Sequence, residues 1–290
     1  MSESTERPTL GVQMMMVKNQ VAEQGMFNVL SRIRDLDLHT VEVSQIPMDD
    51  KNTADLERGV NELGVSVGAL SVALEAAKAN NKVIDALDRD WDKVISDCRR
   101  LNCRYLRIGM MPRDAMTAKD LTEAWAAQCE PYAARLREEG ITLCYHNHHV
   151  DLAQFDGERI FDIVRRVSPS MEFEVDLHWV QRGGMAPLDM LEAYTGVCRL
   201  IHLKDYRVTP VPAEALAAQA RGDQAAWRQA FADIVQFAEV GQGNMNWPKL
   251  LPASVAAGAE YFFIEQDNTY GRDPFDCLRD SREYLASIGW

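Results

Sequence analysis

The sequence predicts an α/β chain folded as one (β/α)8 barrel, and three observations carry that expectation. Eight short apolar runs alternate with helical stretches from end to end. No Pro/Gly/Ser-rich linker divides the 290 residues. Ionisable side chains gather at the ends of the apolar runs. Short apolar strands alternating with amphipathic helices imply a parallel sheet covered by helices. Eight such units in a chain of this length suggest closure into a barrel, with the working groups at the C-terminal ends of the strands. An open doubly wound sheet is the alternative, but no strand leads into a GxGxxG fingerprint.

In chain order, strands are expected over residues 10–15, 40–46, 65–70, 105–109, 141–145, 171–177, 200–204 and 261–265. Helical stretches include 54–63, 91–101, 121–139, 160–167, 188–194, 247–257 and 274–288. Gly64, Gly140 and Gly258 each separate a helical run from an apolar one, the place where a residue tolerant of positive φ stops a helix. Leu121, Trp125, Cys129, Tyr132 and Leu136 recur every three or four residues and predict one core-facing stripe. Residues 1–9 are polar, lack the apolar stretch of a secretory signal, and read as a frayed tail before a single domain over 10–290. Residues 210–240 exceed what a barrel needs after its seventh strand. They predict a helical insertion on the substrate face, serving as a lid, as a partner surface, or simply sealed to the barrel by Trp227, Phe231, Ile234 and Val235.

Composition excludes several classes. Hydrophobic residues make up 47% of the chain, enough for a large core. The formal charge is −13, with no dense Lys/Arg cluster, which argues against nucleic acid as a partner. No apolar run approaches the roughly 18 residues of a membrane helix. The six cysteines are scattered, without a CxxC, and read as buried thiols in a reducing, cytoplasmic setting. The methionine run Met14–Met16 reads as packing around the first strand.

Chemistry concentrates at four strand ends. Four of the six histidines fall in Tyr145-His-Asn-His-His149 and Ile201-His-Leu-Lys-Asp205. Alternate strand residues face the same way. His146 and His148 therefore share an orientation if the fifth strand runs that far, Asp176 stands nearest the mouth above Glu174, and His202 and Lys204 point together. Glu265 ends the eighth strand, with Asp267 two residues on. Carboxylates and imidazoles from separate strands can bind a divalent ion while leaving positions open for sugar oxygens. Asp176, His202 and Glu265 are the expected core ligands, with His146 the fourth. Mn²⁺ suits the mixed oxygen and nitrogen donors best, with Mg²⁺, Co²⁺ and Zn²⁺ as other candidates, and no nucleotide cofactor is expected. The ion would polarise substrate oxygens and stabilise a developing enediolate. His148 is the expected general acid/base, with His146, His149 or His178 as other possibilities. Lys204 reads as an electrostatic stabiliser or a carboxylate partner. Glu42, Asp151, His178 and Trp179 are candidates for substrate contact, Asp151 as a carboxylate behind the first ligands and Trp179 as a wall.

These motifs resemble the xylose-isomerase-like TIM-barrel superfamily of sugar isomerases and epimerases. The likeness rests on Tyr145-His-Asn-His148, Glu174-Val-Asp-Leu-His-Trp179 with Gly183-Gly184, Ile201-His-Leu-Lys-Asp205, Val240-Gly-Gln-Gly243 with Asn246-Trp247, and Ile264-Glu-Gln-Asp267, in that order. It implies that the residues at Asp176, His202 and Glu265 hold a metal. The usual fourth ligand is a glutamate on the fifth strand. Here that region carries His146 and His148, a departure from a two-carboxylate epimerase. Within the superfamily, Gly11-Val-Gln-Met14, Val41-Glu-Val-Ser-Gln-Ile-Pro47 and Gln236-Phe-Ala-Glu-Val-Gly-Gln-Gly243 resemble the large, alpha subunit of bacterial C-glycoside deglycosidases. That resemblance implies a metal-dependent lyase. Its substrate would be a 3-oxo C-glycoside carrying a flavonoid or other aromatic aglycone, and a small beta subunit would complete a hetero-oligomer. Alternatives are a ketose isomerase or epimerase, an inosose-type dehydratase or 3-oxo O-glycoside lyase, and a non-catalytic scaffold.

Overall fold

A computed structural model describes residues 7–80 and 83–290. Eight parallel strands close on themselves: β1 (Thr9–Gln13), β2 (Thr40–Val43), β3 (Ser66–Ala73), β4 (Tyr105–Ile108), β5 (Thr142–His146), β6 (Glu172–Asp176), β7 (Cys198–Leu203) and β8 (Tyr261–Ile264). Each pairs with the strands before and after it in sequence, and β8 returns to β1 with Thr9 opposite Tyr261. The barrel predicted from the alternating pattern is therefore the observed fold.

Boundaries moved where local geometry overrode the apolar run. The first strand stops at Gln13, because the Gln13 side chain accepts the Met15 N–H at 2.5 Å and turns Met14–Val17 into a 3-10 helix. The sixth stops at Asp176, whose carboxylate caps the helix Leu177–Arg182. Of the expected tail, residues 1–6 lie outside the described residues, and Thr9 already belongs to β1. The stripe on the helix Lys119–Glu138 holds for Trp125, Cys129 and Leu136, but Leu121 is 43% exposed. Leu121 lies in the first turn, where the buried Thr122 takes the inward position and donates to the Ala115 carbonyl at 2.7 Å. All six cysteines are buried free thiols. Among the described residues, no helix is long and apolar enough to cross a membrane.

The barrel interior is layered, as period-two alternation requires. Ala69, Tyr105, Cys144, Leu200 and Phe263 form a separate apolar plug at the bottom. Two residues further along their strands, Arg107, His146, His202 and Glu265 replace them, joined by Glu42 and Glu174, all buried. An apolar floor thus carries a charged storey.

The insertion is more than helical. A two-stranded antiparallel ribbon, Asp205–Val208 against Val235–Ala238, carries the helices Ala213–Ala220 and Gln224–Ala232. Phe231 is 55% exposed and stays close to Trp227, at 5.9 Å between rings, so neither the sealing role nor the helical description fits it fully. Buried Asp205 ties the ribbon to the barrel, accepting from the N–H groups of Tyr206, Gly241 and Met245 and from the Trp247 indole at 2.7 Å. Burial raises its carboxyl above the usual range, against the pull of these donors. A Cβ at Gly243 would overlap the Asp205 carboxylate and the Tyr206 carbonyl. Gly243→Ala is accordingly expected to lower unfolding free energy by about 1–3 kcal/mol, the usual range for overpacking, as read by urea denaturation.

Candidate metal centre

His146, Asp176, His202 and Glu265 each offer one donor atom, and these atoms lie within 4.8 Å of one another. Donors around one ion at about 2.1 Å sit at most about 4.2 Å apart, so a small contraction would close the site. The donor chemistry fits. Asp176 Oδ1 is committed to the Trp179 N–H at 3.0 Å, whereas its buried Oδ2 has no hydrogen bond. His146 Nδ1 lies 3.1 Å from Glu174 Oε2 without hydrogen-bond geometry. His202 is gripped on both sides: Nδ1 is 2.7 Å from Glu265 Oε2, and Nε2 is 3.0 Å from Glu42 Oε2. With carboxylates against both ring nitrogens, His202 holds a proton on each; an ion at Nδ1 would displace one of them, while the Nε2 proton stays with Glu42 and Glu174. This is the usual way a carboxylate orients a metal-bound imidazole.

Beneath the quartet, Arg107 Nε bridges Glu174 Oε2 at 2.6 Å and Glu42 Oε1 at 3.1 Å. Above it, Lys204 Nζ meets Glu265 Oε2 at 2.8 Å, Asp267 Oδ2 at 2.9 Å and Asp176 Oδ2 at 3.1 Å. Five carboxyl groups thus surround two permanent cations, an excess of acidic groups that suits a divalent ion. Protonation follows from this layout. Burial pushes Glu42 up to about 8 despite Arg107. Burial would also raise Asp176 and Glu265, but Lys204 and His202 hold both well below the usual carboxylate range. Burial would lower His202, yet Glu174, Glu265 and Glu42 keep it well above an ordinary imidazole. Burial and the neighbouring Arg107 bring His146 down to about 4, and burial with His146 brings His148 to about 2. Both imidazoles are therefore neutral, with lone pairs to give.

β5 ends at His146, yet His148 stays beside it at 4.9 Å between rings, and both line the same cavity. Asn147 turns away and clasps the Asp176 backbone, accepting from its N–H at 2.9 Å. Asp151 is buried behind, accepting from Tyr145 Oη and the His148 N–H, each at 2.7 Å. Glu42 lies under His202, away from the cavity lining. His178 is buried against Trp179, Tyr206 and Phe237, with neither ring nitrogen hydrogen-bonded. Trp179 roofs Lys204, with Nζ 5.0 Å from the ring centre. His149 is exposed and packs on Trp179 at 5.1 Å.

A cavity of about 490 Å³ opens from the quartet toward β1–β4. Its polar lining includes Gln13, Ser44, Ser71, Arg107 and Asp267, and its apolar wall is Met15, Ile84, Ile108, Met110, Pro112 and Trp125. Sequence reading missed this half. Arg107 had a legible signal, a charge inside the apolar run Tyr105–Ile108, whereas the serines and wall residues have none. Met15, expected to pack, faces the cavity instead.

The family description "Xylose isomerase-like TIM barrel" matches residues 30–288. Among solved structures, a sugar phosphate isomerase/epimerase from Parabacteroides distasonis is similar at 18% identity, covering 96% of this chain and 97% of that one, with a TM-score of 0.72. An L-ribulose 3-epimerase is similar at 14% identity, covering 97% and 94%, with a TM-score of 0.69. A xylose isomerase domain protein from Alicyclobacillus acidocaldarius is similar at 15% identity, covering 97% of each chain, with a TM-score of 0.66. At these identities the likeness establishes the fold alone. No curated protein matches the sequence.

Proposed function

We propose that this chain, which belongs to the xylose-isomerase-like TIM-barrel family, is a divalent-metal-dependent enzyme that removes a proton beside a sugar carbonyl. More specifically, we read it as a carbon–carbon lyase acting on 3-oxo C-glycosides. The observation that carries the enzymatic reading is the buried quartet, two of whose members, His146 and Glu265, line a cavity that His148 also lines. Two further features support the lyase. The fifth strand ends at His146, where the resemblance implies a glutamate, so a two-carboxylate exchange would lack one partner. The cavity of about 490 Å³, with its apolar wall, falls in the roughly 300–1,000 Å³ range of sites for drug-sized ligands. That suits a sugar bearing an aromatic group.

His146 is assigned to the ion because it belongs to the four-residue cluster, and His148 to the proton. His146, Asp176, His202 and Glu265 would hold an ion, Mn²⁺ first and Mg²⁺, Co²⁺ or Zn²⁺ as other candidates, which would supply Lewis-acid stabilisation of negative charge developing on the substrate. His148, neutral because burial disfavours its cation, takes the C2 proton, which the adjacent C3 ketone acidifies, and the negative charge developing on the substrate offsets the cost of the imidazolium. The electron pair then forms the C1–C2 double bond, and the bond from C1 to the aglycone carbon breaks. The His148 imidazolium returns the proton to the departing carbon, so no water is consumed. Lys204 stays charged beside Asp176, Glu265 and Asp267 and offsets their repulsion. Glu42 orients His202, and Asp151 fixes the His148 backbone. Trp179 and His178 pack behind Lys204, outside the cavity lining, and serve as support for the site.

His148→Ala is expected to lower kcat by about 10²–10⁴, the range for losing a general acid/base, with ion stoichiometry unchanged. Equal loss of the ion would instead place His148 among the ligands. The lyase reading is tested by incubating metal-loaded protein with a 3-oxo C-glucoside and with a free ketose. Each is run with and without the small beta subunit that the resemblance implies. Aglycone release is the expected result. Stereoisomer formation from the ketose without aglycone release would replace the lyase by an epimerase or isomerase. That second reading has one structural point in its favour: Asp267, pushed up to about 6 by burial, lines the cavity with His148 as a second acid/base group.

A further inference from the structure

We infer that Arg107, Ser44 and Ser71 form a sugar-oxygen subsite that takes two neighbouring hydroxyl or carbonyl oxygens and selects unphosphorylated substrates. The inference rests on the reading that the cavity holds a sugar, but not on which reaction follows. The three residues come from the ends of β4, β2 and β3, and all line the cavity. Arg107 Nε is spent on Glu174 and Glu42, whereas Nη1 reaches Ser44 Oγ and Ser71 Oγ only loosely, at 3.4 Å each. Nη2 has no hydrogen-bond partner among the described residues. A guanidinium carries five N–H donors in a fixed fork, so the outer edge of this one is free to bind an acceptor, flanked by two hydroxyls. Gly109 keeps that edge open, because a Cβ there would stand 2.8 Å from Nη1.

Charge decides which acceptor fits. Arg107 is paired with the buried Glu174 carboxylate at 2.6 Å, so the fork presents directional donors whose charge is already balanced. Lys78, the other cation of the lining, is tied to Glu75 Oε2 at 2.7 Å. Apart from the ion itself, a phosphate would find in the described lining only these two paired cations and would approach Glu75, Glu265 and Asp267. A neutral oxygen loses nothing by that company.

Calorimetry on manganese-loaded protein tests the subsite, with a 3-oxo C-glucoside, D-glucitol and D-glucitol 6-phosphate as probes. Ser44→Ala and Ser71→Ala are each expected to raise the Kd of both neutral probes about threefold to fivefold. Arg107→Lys, which keeps the charge but loses the fork, is expected to raise it about tenfold or more. Manganese stoichiometry should hold throughout, and the phosphate should bind no more tightly than D-glucitol. The subsite is overturned if the folded, metal-loaded variants bind the neutral probes within about twofold of the parent, or if the parent binds neither at millimolar concentration. Tighter, Arg107-dependent binding of the phosphate overturns the selectivity. Absence of aglycone release alongside Arg107-dependent D-glucitol binding would remove the lyase and leave the subsite standing.

Discussion

Asp176→Asn is expected to lose the bound ion, and with it roughly 10³-fold or more in kcat. The substitution separates two jobs of one side chain. Oδ1 accepts from the Trp179 N–H and caps the following helix, and an amide oxygen can keep that bond. Oδ2 is buried, meets Lys204 Nζ at 3.1 Å, and belongs to the four-donor cluster. An amide there offers neither the charge nor the lone pairs that a divalent ion requires. Lewis-acid stabilisation is worth several kcal/mol, and about 1.4 kcal/mol corresponds to tenfold in rate, which sets the expected loss. Metal analysis of the purified variant beside its turnover is the check. A variant that keeps a full complement of ion would mean that Asp176 is not a ligand.

Lys204→Met is expected to cost the metal-free protein about 3–5 kcal/mol, the usual penalty for removing one partner of a buried ion pair. Lys204 is 1% exposed and contacts Asp176, Glu265 and Asp267 at 2.8–3.1 Å. Those three carboxylates hold its ammonium well above the ordinary range despite burial. With Lys204 gone, their mutual repulsion has no counterweight until a divalent ion arrives. Manganese should therefore stabilise the variant more than the parent, by linkage of ion binding to folding. Urea denaturation of both proteins, with and without manganese, reads the difference. An unchanged metal-free stability, or equal increments, would contradict the charge balance described for the site.

The layered barrel explains what could be read beforehand. Eight apolar runs set the strands, and period-two alternation placed His146, Asp176, His202 and Glu265 at one mouth, because each stands at or beside the C-terminal end of its strand. The same rule misjudged details governed by single hydrogen bonds. Gln13 ends its strand by accepting the Met15 N–H, and Asp176 by capping a helix. The ribbon under the insertion went unread because its strands pair with each other across two intervening helices, leaving no local pattern to betray them. Arg107 sat in plain view inside Tyr105–Ile108, but its partners Glu42 and Glu174 come from β2 and β6. Ile84 and Met110 line the cavity from loops, which no spacing rule reaches, whereas Ser44 and Ser71 continue the inward alternation of Glu42 and Ala69 but carry no charge to mark them.

The most direct test is an anomalous-scattering map of crystals grown with manganese. One peak is expected, within bonding distance of His146, Asp176, His202 and Glu265 together, with His148 facing the open side. A map with no peak among those four residues, or with the ion seated instead between Glu42 and Glu174 in the place of Arg107, would contradict the account.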